Sequence, residues 1–133
     1  MKNSEIFNAY LPLVRLSKMK FSNYEKSISL ALLLREIREK YEIIFSLASA
    51  INEEFVVSDG NGNFITKKGL PVIRQGKDMA EYQREMKLLS DTDTEIHSRK
   101  IILSEKDFKD EIPSPEDILA VSSFVSFEGV DEN

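Results

Sequence analysis

The sequence predicts an α+β fold that is mainly helical: a long antiparallel helical hairpin with a small antiparallel β element and a C-terminal helix. Three observations predict it. From Ser22 no glycine or proline interrupts the chain until Gly60. Across that stretch Leu30, Leu34, Ile37, Tyr41, Ile44, Ala48, Ile51 and Phe55 recur at alternating spacings of four and three, the seam of a helix that buries one stripe along its length. A second seam, Met79, Tyr82, Met86 and Leu89, follows after a glycine-rich segment, so the chain can fold back on itself there.

Ser4 to Lys18 reads as a short amphipathic helix carrying Ile6, Phe7, Tyr10, Leu11, Val14 and Leu16, with Pro12 bending or dividing it. A strand over Leu13 to Leu16 is the competing reading. Ser22-Asn23-Tyr24-Glu25 has the form of a capping box, with Ser22 as the cap and Glu25 reaching back. A helix from there to about Glu54 would be roughly 50 Å long at about 1.5 Å per residue. Such an element needs a partner along its whole length. Leu33, Ile43 and Leu47 widen its apolar stripe.

Phe55 to Ser58 and Asn63 to Thr66 flank Asp59-Gly60-Asn61-Gly62, the composition of a hairpin around a glycine turn. A loop over Lys67 to Gly76 follows, with room for a short strand at Leu70 to Ile73. Asp78-Met79-Ala80-Glu81 is a second capping box and opens the second seam helix. One or two strands are expected between Glu95 and Leu103, then a single helical turn from Ser104 to about Phe108. Ser114-Pro115-Glu116-Asp117 combines a capping serine, proline at the first helical position and acids in the first turn. That helix is expected to run to about Phe127, and Glu128 to Asn133 reads as an acidic tail.

At 133 residues the chain fits one domain, 1–133, since smaller pieces would bury too little surface. It has no cysteine and one histidine, which removes disulfides, thiolate metal sites and cysteine nucleophiles. A net charge of −5 speaks against a general nucleic-acid binder. The charge is uneven. Met1 to Glu54 holds eight basic and seven acidic residues, and Phe55 to Asn133 holds ten basic and sixteen acidic ones. The first residues lack the apolar core of a signal peptide, and the most apolar run, Ile28 to Leu34, is far short of the ~20 residues of a membrane span. A soluble protein of a reducing cytoplasm is expected, with no membrane partner.

Each constellation that could carry chemistry has a plainer reading. Asp59, Asn61 and Asn63 match the first positions of a calcium loop, but Phe64 and Leu70 stand where it needs glycine and glutamate. A hairpin turn explains the same letters. Asp91, Asp93 and Glu95 would share one side of an extended chain and could hold a hard cation, yet a solvated loop suffices. His97 beside Glu95 could serve as a base. Lys18, Lys20 and Lys26 with Phe21 and Tyr24, and the loop of Lys67, Lys68, Arg74 and Lys77, are basic but too sparse for a nucleic-acid patch. No catalytic, cofactor-binding or metal residue and no cofactor is expected. The candidate site is an interface along the helix seams: Leu30, Leu34, Ile37, Tyr41, Ile44 and Ile51 on the long helix, with Met79, Tyr82, Met86 and Leu89 on the second.

The order of features resembles a family of small proteins of tailed bacteriophages and prophages known as a domain of unknown function. The resemblance lies in the capped long helix, the Asp-Gly-Asn-Gly turn with its basic loop, Glu81 to Leu89, Thr94 to Ile96, Ile101 to Phe108 and Ser114 to Leu119. It implies a non-enzymatic phage accessory protein that binds proteins, itself or other phage proteins. A virion or assembly component fits best, located in the bacterial host cytoplasm or in the particle. The alternative is an inhibitor of a host enzyme or defence protein that uses its acidic C-terminal third.

Overall fold

A computed structural model describes residues 1–128 of the chain; the expected tail at 128–133 lies outside them except for Glu128. The fold is mixed α+β and mainly helical. In chain order the elements are α1 (Asn3–Ser17), α2 (Tyr24–Phe55), β1 (Thr66–Lys67), β2 (Leu70–Pro71), α3 (Met79–Asp91), β3 (Ile101–Ser104), a 3-10 turn at Glu105–Asp107, α4 (Pro115–Ala120) and β4 (Val125–Glu128).

The long helix α2 has 32 residues and finds its partner in two pieces. α1 packs on its N-terminal part, where Phe7 and Tyr10 stack on Tyr41. α3 packs antiparallel on its C-terminal part, where the Tyr82 hydroxyl donates to Asn52 at 2.7 Å and its ring leans on Phe55. The two short helices abut. Asn3 N–H donates to the Thr92 carbonyl at 2.9 Å, and the Asn3 side-chain amide donates to the Leu89 carbonyl at 2.9 Å. The carbonyl end of α3 thereby caps the amide end of α1, whose own N-cap residue, Lys2, offers no side-chain acceptor.

α1 is one helix despite Pro12, and no strand forms at Leu13 to Leu16. Its buried stripe is Ile6, Ala9, Leu13 and Leu16, spaced three, four and three. Phe7 and Leu11, expected on that stripe, face outward. Small Ala9 lets the α1 backbone approach Leu30, Leu33, Leu34 and Ile37, which form one core cluster with it. The cap of α2 is Asn23 rather than Ser22. Asn23 Oδ1 accepts from the Glu25 and Lys26 amides, while Ser22 Oγ donates to the Lys106 carbonyl at 2.6 Å. Ser22 is drawn away because the connector before it is zipped to residues 106–109, with Lys109 N–H donating to Lys20 and Phe21 bridging Phe108.

The antiparallel β element is small and sits one step later than the glycine turn. Residues 58 and 64 make a single bridge around that turn, and the paired strands are β1 and β2, joined by Lys68-Gly69. Both turn residues have positive φ, 54° and 78°, the geometry that matches the twist of a two-residue hairpin. Arg74 closes this end by donating from its side chain to the Val56 carbonyl.

The C-terminal third differs most from expectation. α4 starts where Ser114 and Pro115 place it, with Ser114 Oγ accepting from the Asp117 amide. It ends at Ala120 instead of continuing to Phe127. Residues 125–128 become β4, paired in parallel with β3 over Ile101↔Val125 to Ser104↔Glu128. The β-branched and aromatic run Val121 to Phe127, diluted by serines, favours a strand once a partner edge is present. Only one strand, Ile101–Ser104, forms in this stretch, because Glu36 of α2 takes the amides of His97 and Ser98 instead. Val121, Phe124 and Val125 then close the core over Leu103 and α1. Arg15 of α1 locks α4 in place through a forked pair of bonds to Asp117, the shortest 2.8 Å.

Candidate functional site

Along α2 the predicted seam divides between the interior and the surface. Leu30, Leu34, Ile37 and Ile44 are buried inside the chain, and Tyr41 and Ile51 are half-buried. On α3, Met79, Tyr82, Met86 and Leu89 are all half-buried, and no side chain of that helix is fully buried. The structure therefore brings Ile44, Ile51 and Leu89 together along one groove. It places Leu30, Leu34 and Ile37 away from that groove, under α1.

The groove runs between α2 and α3, has a volume of about 670 Å³ and is floored by Ile44, Ile51 and Leu89. Its outer wall is Ile43 and Leu47 of α2 and Leu88 of α3, exposed by 58%, 50% and 64%. These three large aliphatic side chains stand open beside a concave apolar floor, a contiguous apolar patch rather than scattered surface leucines. The rim is charged, with Lys40 at one end of the α2 wall, Glu54 at the other, and Glu85 on α3. Asn3 and Thr94 close the end near the α1–α3 joint, with Thr94 Oγ1 donating to Asn3 Oδ1. Ile43 and Leu47 were legible as flanking apolar positions and Leu88 was not, and the outward aim of all three follows from how narrow a strip of α2 a 13-residue helix covers.

Beyond the groove, Glu36 fixes the segment after α3. Its carboxylate accepts from His97 N–H at 2.7 Å, Ser98 N–H at 2.8 Å and Ser98 Oγ at 2.6 Å. Burial raises its pKa, but the bonds from Ser98 and His97 outweigh that and hold it below the ordinary value. A carboxyl whose folded pKa is lowered adds stability above its unfolded pKa and loses it as pH falls through the folded one. Glu36→Gln should therefore be less stable than wild type at pH 7, as read from urea midpoints. The gap should narrow as pH falls below the ordinary carboxyl value of 4.5 and through the lowered folded one. A gap that stays constant across that range would refute the linkage.

The residues weighed for metal or acid–base chemistry are scattered among separate partners. Asp91 pairs with Lys87 at 2.6 Å, Asp93 with the amino terminus at 3.6 Å, and Glu95 lies 3.9 Å from His97 Nδ1. Among the described residues no group of three or more His, Asp or Glu side chains is gathered to hold a metal ion. Asp59 accepts from the Asn61 and Asn63 amides, as a turn residue does. In the basic–aromatic cluster Phe21 packs on Phe108, with ring centres 5.0 Å apart, while Tyr24 faces solvent. In the basic loop Lys77 pairs with Glu54 and lies over the Phe55 ring. Among the described residues no helix is long and apolar enough to cross a membrane. Compared with protein-family models, curated proteins and solved structures, the chain matches none of them.

Proposed function

We propose that this protein is a non-enzymatic accessory protein of a bacteriophage or prophage, working by protein–protein contact as a virion or assembly component. The observation that carries the binding role is the open apolar groove of Ile43, Leu47 and Leu88 beside α3. The phage origin rests on the resemblance of the segments Glu81 to Leu89, Ile101 to Phe108 and Ser114 to Leu119. On this reading the protein acts in the bacterial cytoplasm, where particles assemble, or within the particle. The host-directed alternative draws less support, because acids of the C-terminal third already have partners within the chain: Asp91 on Lys87, Asp93 on the amino terminus, Asp117 on Arg15, and Asp107 on Ser104 and Asn23.

The test is a photo-crosslinking residue in place of Leu88, in cells where the encoding phage multiplies. Crosslinks to the chain itself or to a virion or assembly protein are expected. The same residue in place of Glu53, on the solvent face of α2, should give none of them. Identical crosslinks from both positions, spread over abundant host proteins, would refute the reading.

A further inference from the structure

The groove wall on α2 is symmetric about one residue. Counting outward from Leu47, the groove-lining positions pair as Ile44 with Ala50, Ile43 with Ile51, and Lys40 with Glu54. The inner pairs are apolar and the outermost pair carries opposite charges. All of these positions lie on one side of the helix, since steps of three, four and seven residues return to the same face. The stripe between Lys40 and Glu54 is about 21 Å long at about 1.5 Å per residue.

A surface with this pattern is complementary to itself after a half-turn. We infer that the groove is the interface for a second copy of this chain, with the α2 helices of the two copies crossing antiparallel about a two-fold axis at Leu47. Deepening the protein-binding reading above, this assigns the groove's occupant. On the axis Leu47 meets the partner's Leu47, Ile43 meets the partner's Ile51, and Ile44 meets the partner's Ala50. Leu88 of each copy covers the side of this contact. At each end Lys40 faces the partner's Glu54, whose Oε1 already accepts from Lys77 of its own chain, so the two lysines share that carboxylate and an ion pair flanks the apolar centre on either side.

Charge selects this orientation. In a parallel arrangement Lys40 would face the partner's Lys40 and Glu54 the partner's Glu54, with repulsion at both ends. Self-complementary contact about a two-fold axis is also the commonest way in which copies of one chain associate. Of the seam positions Leu34, Ile37, Tyr41 and Ile44, Leu34 and Ile37 are under α1 and Tyr41 is stacked with Phe7 and Tyr10, so only Ile44 reaches this contact, from the floor of the groove. The interface is instead the adjoining stripe centred on Leu47.

Light scattering and analytical ultracentrifugation of the whole chain across concentration test this, supported by one charge-swap experiment. Wild type should reach twice the 15.2 kDa chain mass. Leu47→Glu, at a half-exposed position that leaves the core intact, should weaken the dimer about 100-fold or more, because each dimer carries the change twice. Lys40→Glu alone and Glu54→Lys alone each place like charges at both ends and should weaken it about tenfold. An equimolar mixture of those two variants restores both ion pairs and should form a heterodimer near wild-type strength. Circular dichroism confirms that each variant is folded. A wild type that stays monomeric at high concentration overturns the inference, as does a dimer that ignores Leu47→Glu or a mixture that fails to associate. A monomer that still crosslinks through Leu88 to a phage protein would overturn self-docking and leave the broader protein-binding reading standing.

Discussion

Replacing Ile37 with alanine is expected to cost about 3 kcal/mol of folding stability and to lower Tm by on the order of 10 °C. Ile37 has no exposed surface and lies where α1 crosses α2, among Leu13, Leu16, Leu33 and Leu34. Truncation there removes buried methyl groups and leaves a cavity that two helices pinned by Arg15–Asp117 and by the α1–α3 joint cannot collapse around. The informative comparison is Ile43→Ala on the same helix. Ile43 is 58% exposed, so at dilutions where the chain is monomeric its loss should stay within about 0.5 kcal/mol. Urea denaturation of both variants checks the pair. Equal costs would mean that α1 does not cover α2 as described.

The second large effect is expected at Asp107. Its carboxylate is buried and accepts from Ser104 N–H at 2.9 Å, from Ser104 Oγ at 3.3 Å and from the Asn23 side-chain amide at 3.3 Å. Its carbonyl accepts from Ser22 N–H. Because the Asn23 nitrogen is committed to Asp107, its oxygen must face the amides of Glu25 and Lys26, which sets the cap of α2. Asp107→Ala would leave the Ser104 amide without its acceptor and release Asn23 to rotate. A loss of about 2–3 kcal/mol is expected, against about 1 kcal/mol for Ser104→Ala, which removes only the hydroxyl bond. Chemical denaturation at neutral pH distinguishes them, and a cost below that of Ser104→Ala would contradict this account.

The helical part of the fold was legible because it is written in local periodicity. Leu30 to Phe55 and Met79 to Leu89 form helices on their predicted seams, since each position depends on neighbours three and four away. What escaped depends on contacts remote in sequence. Ser22 and Asn23 are equally good caps by composition; the Lys106 carbonyl, 84 residues away, decides between them by taking the serine. Val121, Phe124 and Val125 fit helical spacing, and only the edge of β3 turns the last four described residues into a strand. The antiparallel pairing of α2 with α3 follows the two seams, whereas the pairing of its other end with α1 has no local signature. The predicted seam makes a single surface; the structure buries its N-terminal half under α1 and leaves a parallel stripe through Leu47 open.

The joint where α3 meets α1 has a kinetic consequence. The Asn3 amide is bonded to Thr92, and the Thr94 amide is bonded to Met1 at 2.7 Å. Neither bond belongs to one helix. Each exists only while α1 and α3 are both seated on α2, so undocking either helix exposes both protons. In hydrogen exchange these two amides act as a coincidence detector, reporting the more easily opened of the two halves. With no fully buried side chain on α3, that half is α3. The Asn3 amide should therefore exchange at the rate of α3 opening, faster than the α1 interior just beyond it, and slow to the α1 rate if a partner clamps α3 in place.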